Sequence, residues 1–105
     1  MVLYKMLSSE SIIQLINKNH KEIKKFGVKR LGLFGSYSIN KQKPGSDIDL
    51  LVEFEKGKKT FDNYMDLKFY LEDIFGLNVD LVVKESIKIE FKTNILKSVK
   101  YATGF

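Results

Sequence analysis

Apolar positions first recur at helical spacing. Ile12, Ile13, Ile16, Ile23 and Phe26 recur near helical spacing, with lysines, asparagines and His20 mostly between them. Ser8-Ser9-Glu10-Ser11 offers hydroxyls to cap free backbone N–H groups, and Gly27 is a natural terminator, so one amphipathic helix is expected over this stretch. Met1–Leu7 are mixed and predict no element. The period then shortens. Val28–Phe34 reads as a strand stopped by Gly35, and Ser36–Lys41 as one or two helical turns capped by Ser36. Gln42–Ser46 holds the single proline, Pro44, followed by Gly45, which is loop chemistry. Asp47–Phe54 is a second strand, apolar almost throughout and so expected to be buried on much of both faces. A charged turn with Gly57 leads to a second helix over Thr60–Phe75, whose spacing places most of its aromatic residues (Phe61, Tyr64, Phe69, Tyr70, Phe75) in the core, while some could instead form a partner surface. Gly76 ends it. Leu77–Val83 is a third strand, Lys84–Ser86 a turn, Ile87 to about Val99 a third helix, and Lys100–Phe105 a tail.

The order is helix, strand, short turn, strand, helix, strand, helix. The second strand, second helix and third strand make a βαβ unit, right-handed in nearly all folds. The link between the first two strands is too short for a parallel crossover, so those strands are expected to be antiparallel. The predicted class is α+β, an α/β two-layer arrangement: a small mixed sheet with helices mainly on one face, in a single domain over residues 1–105.

Composition changes this picture little. The chain carries 18 Lys+Arg against 13 Asp+Glu, a formal charge of +5. The lysines are dispersed, which fits a solvated surface and does not specifically signal nucleic acid. Without cysteine, a disulfide framework and a thiolate zinc site are both excluded. No apolar run approaches the roughly 20 residues of a membrane span, and the charged-then-apolar layout of a signal peptide is missing, so the cytoplasm is the expected location.

The chemistry concentrates around Gly35-Ser36 and Ser46-Asp47-Ile48-Asp49. Residues i and i+2 of a strand share a face, so Asp47 and Asp49 stand side by side. They follow a glycine turn that can approach a ligand closely and can offer N–H and hydroxyl donors to a phosphate. If the second and third strands are parallel neighbours, their starts lie together. Val79, Leu81 and Val83 take the helix-covered face, as Ile48, Leu50 and Val52 do, and Asp80 joins the two other acids on the open face. Unshielded, three carboxylates repel one another. Hard divalent cations such as Mg²⁺ remove that repulsion, and two of them roughly 3.5–4 Å apart can clamp the attacking and leaving oxygens of a phosphoryl-type displacement. A lone Gly-Ser is no signal, and this is not a Walker A loop, because the Gly-x-x-x-x-Gly-Lys-Ser/Thr spacing is missing. Asp47 and Asp49 could instead be an N-cap and a strand-edge charge, but two acids in a buried-type strand are costly without a cation. Lys41 and Lys43, on the loop beside the turn, are either solvated or balance triphosphate charge. Arg30 reads as structural, His20 as exposed rather than a ligand. Tyr101 could meet a partner or close the core.

Gly35-Ser36, Asp47-x-Asp49 and Val79-Asp80-Leu81 beyond one helix together resemble the nucleotidyltransferase fold of the DNA polymerase β superfamily, most closely its minimal nucleotidyltransferase (MNT) group. The motif core runs from Leu31 to Val83 and the flanking helices fit the group's short layout. Members usually carry a small residue and then a glycine shortly after Gly-Ser, where this chain has Ser38 and Asn40; asparagine is the non-glycine residue most tolerant of a left-handed backbone.

The resemblance implies transfer of a nucleoside monophosphate, with ATP as the donor, to a hydroxyl. Asp47, Asp49 and Asp80 would be catalytic and metal-binding, with Asp49 bridging two Mg²⁺ ions and Asp80 assisting the nucleophile. Gly35 and Ser36, with Lys41 and Lys43, would hold the nucleotide phosphates. Such proteins often pair with a HEPN-type helical toxin and act as its antitoxin, in some cases by adenylylating a toxin tyrosine. A 105-residue chain leaves no room for a domain to carry the acceptor, which points the same way. The alternatives are a non-catalytic nucleotide-binding antitoxin and a small-molecule, aminoglycoside-type nucleotidyltransferase. Oligomeric state is not legible.

Overall fold

A computed structural model describes residues 7–105. The remainder of the Met1–Leu7 stretch lies outside the described residues. Among the described residues, four helices, α1 (Ser9–Lys18), α2 (His20–Lys24), α3 (Phe61–Phe75) and α4 (Ile89–Ser98), accompany four strands, β1 (Val28–Phe34), β2 (Ile48–Phe54), β3 (Val79–Val83) and β4 (Lys100–Tyr101). One-turn 3₁₀ segments span Ser36–Ile39 and Lys84–Ser86. The sheet order is β3-β2-β1-β4; β1 runs antiparallel to β2 and β4, and β2 runs parallel to β3. The mixed α+β sheet and its antiparallel first pair are as the connection lengths predicted.

Hydrophobic burial sets the layers. Ile48, Leu50 and Val52 of β2, Leu31 and Leu33 of β1, and Val79 and Leu81 of β3 form one cluster with Ile12 and Ile16 of α1, Ile23 of α2, and Leu67, Leu71 and Phe75 of α3. Leu51 points the other way and is also fully buried, outside that cluster. The second strand is therefore covered on both faces near its middle. Helix α4 has no buried residue and exposes Ile89 and Phe91.

Five expectations need correction. The first helix is broken at Asn19 (φ −103°, ψ 15°) into α1 and α2. There the Asn19 side chain donates to the Leu15 carbonyl at 2.8 Å and accepts from Tyr70 Oη at 3.1 Å, so a tertiary bond favours the break. The tail is not structureless: Lys100 and Tyr101 pair with Leu33 and Gly32 and give the sheet its fourth strand. Phe61 and Phe69 of α3 are exposed, because the core face of that helix is filled by Leu67, Leu71 and Phe75. His20 is half-buried, its ring edge-on to Phe105 at 6.5 Å. The Ser8 cap holds, as a reciprocal pair with Ser11, and Gly27 and Gly76 take positive φ at helix ends; the expected Ser36 cap does not, because Gly35 is the N-cap of that turn and no side chain bonds there, while Thr60 caps α3 by accepting from the Asn63 N–H.

Candidate active site

The site is built on the face of the sheet opposite the main core. Register places Phe34 opposite Asp49, and Asp49 opposite Asp80, so the two acids are lateral neighbours on parallel strands. Asp47 falls just before β2 and is exposed, as is Asp80; Asp49 is half-buried.

Burial, with the negative charges of Asp80 and Asp47 beside it, raises the Asp49 carboxyl to about 6. Desolvation is the larger cause, and a hydrogen bond with Asp80 acts in the same direction. Asp49 thus holds a proton more readily than an ordinary aspartate, and among the described residues no cation pairs with Asp49 or Asp80. Among the described residues, no three acid, histidine or cysteine side chains already close into a metal cage. The donor set nevertheless fits Mg²⁺: it is all carboxylate oxygen, and its like-charge strain is of the kind a divalent cation relieves.

The turn after β1 fits against this pair. Gly35 sits at φ 74°, ψ −157°, a region open essentially to glycine alone. A Cβ at Gly35 would collide with Asp49 Oδ2. Glycine is required twice over, by the backbone angle and by the carboxylate pressed against it. Ser36 then opens the 3₁₀ turn. Ser38 is fully buried and donates through Oγ to the Gly35 carbonyl at 2.6 Å. Asn40 adopts the left-handed conformation (φ 55°, ψ 37°). Its Oδ1 accepts from the Ser9 N–H at 2.9 Å and its Nδ2 donates to Ser9 Oγ at 3.3 Å, tying the turn to the start of α1. The two residues that depart from the family pattern are therefore both used by the turn. Lys41 and Lys43 are exposed on the following loop. There the Lys41 N–H donates to the Ser36 carbonyl, and the Lys43 N–H to Ser46 Oγ, each at 2.9 Å. The sequence placed the acids beside the Gly35-Ser36 turn, but it announced neither how closely Gly35 approaches Asp49 nor the Asn40–Ser9 link, since each joins segments apart along the chain.

The rest of the same face is differently furnished. Arg30 Nη1 lies 3.5 Å from Glu53 Oε2, and Lys84 Nζ 3.6 Å from Glu53 Oε1. Arg30 also stacks on the Tyr101 ring at 3.7 Å. The Arg30 contact is a charge pairing rather than a hydrogen bond, since buried Glu53 Oε2 has no hydrogen-bond partner. The structural reading of Arg30 fits this placement. A cleft of about 440 Å³ between Ser9, Glu10, Asn40, Lys100 and Tyr101 lies behind the turn and is lined by neither the acids nor Gly35-Ser36.

A family model described as a nucleotidyltransferase domain matches residues 13–102. The protein adenylyltransferase MntA of Thermococcus cleftensis is 39% identical over 97 residues, 91% of this chain and 97% of the relative. A solved structure described as that of a proposed minimal nucleotidyltransferase superposes with a TM-score of 0.78 at 26% identity, covering 91% of this chain and 97% of the other. A solved toxin–antitoxin complex with AMP-PNP contains a chain that superposes with a TM-score of 0.66 at 26% identity, covering 94% of this chain and 75% of that one. The open sheet face with paired carboxylates, the glycine turn pressed against them and these likenesses agree, and the chain belongs to the nucleotidyltransferase domain family, among its minimal, MntA-like adenylyltransferases.

Proposed function

We propose that this protein transfers AMP from Mg²⁺-bound ATP to a tyrosine hydroxyl of a HEPN-type toxin and so acts as its antitoxin. The observation that carries the chemistry is the apposition of the Gly35-Ser36 turn to Asp49, with Asp80 in register beside it. The adenylyltransferase name of the relative supports AMP as the transferred group, and the AMP-PNP-bound toxin–antitoxin complex supports both the donor and the kind of partner.

Asp47, Asp49 and Asp80 would hold the cations, which when bound neutralise triphosphate charge and polarise the α-phosphoryl group. Gly35 and Ser36 hold the departing β- and γ-phosphates through backbone N–H groups and the Ser36 hydroxyl, aided by Lys41 and Lys43. Asp80, exposed beside Asp49, takes the proton of the acceptor hydroxyl as its oxygen attacks the α-phosphorus and pyrophosphate leaves.

Incubation of the protein with labelled ATP, Mg²⁺ and the product of the adjacent gene tests this. Label should appear on a partner tyrosine and disappear with Asp47→Asn. Neutralisation of the partner by Asp47→Asn as efficiently as by wild type, with no label transferred, would replace the enzyme reading by one of inhibition through contact. Label on a small molecule without any protein acceptor would replace the toxin.

A further inference from the structure

Among the described residues, Asp80 lies on an edge strand, with β2 on one side and no strand on the other. Edge strands are the least constrained part of a sheet, because half of their backbone groups lack a ladder partner. Catalysis tolerates little of that freedom, since displacements near 1 Å can cost on the order of 100-fold. Something must hold this strand on its open side.

The Ile48 N–H donates to the Asn78 carbonyl at 3.0 Å, so residue 78 faces β2. By strand alternation Asp80 and Val82 face β2 as well, while Val79 and Leu81 turn their backbone groups outward. Both of these flanking residues are met by side chains of α3. The Val79 N–H donates to Glu72 Oε2 at 3.0 Å. The Leu81 carbonyl accepts from Tyr64 Oη at 2.6 Å. The two bonds bracket Asp80, one on the residue before it and one on the residue after. Tyr64 is half-buried and packs against the core, so its hydroxyl is delivered from a fixed ring.

We infer that Tyr64 and Glu72 are positioning residues for Asp80: two side chains of α3 stand in for the missing neighbouring strand and fix the pleat that aims the Asp80 carboxylate at Asp49. This rests on the role proposed above for Asp80. Neither residue touches the reacting groups. Each acts on the backbone that carries the acid, and the helix that covers the core thereby sets the geometry of the opposite face.

The test is a double-mutant cycle on the full chain, with two readouts. Labelled AMP transfer to the partner protein gives kcat and the KM for ATP, and electron paramagnetic resonance gives Mn²⁺ binding in the presence of α,β-methylene-ATP. Tyr64→Phe and Glu72→Ala should each lower kcat about 10-fold with the KM for ATP within about 2-fold, and should weaken Mn²⁺ binding several-fold. Glu72→Gln keeps an oxygen that accepts from Val79 and should restore both readouts. In an Asp80→Asn background neither Tyr64→Phe nor Glu72→Ala should lower residual transfer or Mn²⁺ binding further. Equal proportional losses in both backgrounds, tracking a lowered Tm, would reduce the two residues to general stabilisers and overturn the inference. Wild-type kinetics in folded Tyr64→Phe and Glu72→Ala, with Asp80→Asn inactive, would overturn it while leaving the Asp80 role intact. Full activity of Asp80→Asn would remove that role and the inference with it.

Discussion

On the sheet face away from the main core, the charged neighbours of Asp49 among the described residues are other acids; further along β2, Glu53 sits between Arg30 and Lys84. Both belong to β2 and point to the same side, four residues and roughly 13 Å apart. Glu53 is largely shielded from solvent, with 14% of its side chain exposed, yet the chain supplies its countercharges. Asp49 receives none, and its carboxyl is pushed up to about 6. A structural acid is neutralised from within the fold. An acid with only like charges beside it is left under strain until a cation reaches it, a pattern common at functional sites. Lys41 and Lys43, on the loop before Asp47, lie exposed.

Replacing Asp49 tests that contrast most directly. Asp49→Asn should abolish AMP transfer, by at least on the order of 100-fold, and yet raise the Tm of the cation-free protein by a few degrees, read by a thermal melt in EDTA. The pH dependence follows with a definite sign. The folded protein holds the Asp49 proton up to about pH 6, against 3.8 for the ordinary group, so it binds more protons than the unfolded chain between those values. Stability in EDTA should therefore fall as pH rises from about 4 to 6 and lose nothing more from this group above that. The slope should be absent in Asp49→Asn, and Mg²⁺ at pH 7 should raise the Tm of wild type more than that of the variant.

Next in size is Gly35→Ala. The added methyl meets Asp49 Oδ2 and the backbone angle is foreign to alanine. Transfer should drop on the order of 100-fold in the labelled-ATP assay, with a stability loss of about 1–3 kcal/mol by denaturant titration. Glu53→Gln should do the reverse of Asp49→Asn: stability falls by about 1 kcal/mol while transfer stays within about 3-fold of wild type. An active-site loss from Glu53→Gln matching that of Asp49→Asn would dissolve the distinction between the two ends. The smallest effect is expected for Tyr101→Leu, which removes the ring beneath Arg30 and should cost about 0.5–1 kcal/mol in the same titration, with transfer unchanged.

Local chemistry made much of this legible. Serine caps, glycine stops and the change of hydrophobic period located three of the helical regions and three strands to within a few residues, because those signals act over a few neighbouring positions. Asn19 shows the limit: a helical pattern continues through it, and only the hydroxyl of Tyr70, 51 residues on, accounts for the break. The tail shows it again, since two residues become a strand only because β1 offers them an edge. The exposure of Phe61 and Phe69 was hidden for a related reason. Spacing describes a stripe, but the neighbours decide how wide a stripe can be buried.

The sequence alone determined which acids could act together, because strand alternation and a βαβ crossover leave few ways to arrange Asp49 and Asp80. It also determined that the turn beside them needs glycine, followed by residues that tolerate a tight bend. Tertiary structure decided the rest: that Gly35 is pressed against the Asp49 carboxylate, that Asn40 is anchored to Ser9, and that Tyr64 and Glu72 secure the strand carrying Asp80. The physical reason is range. Periodicity and capping are fixed by nearest neighbours, whereas contacts that shape a carboxylate's surroundings join residues whose approach is settled only when the core closes.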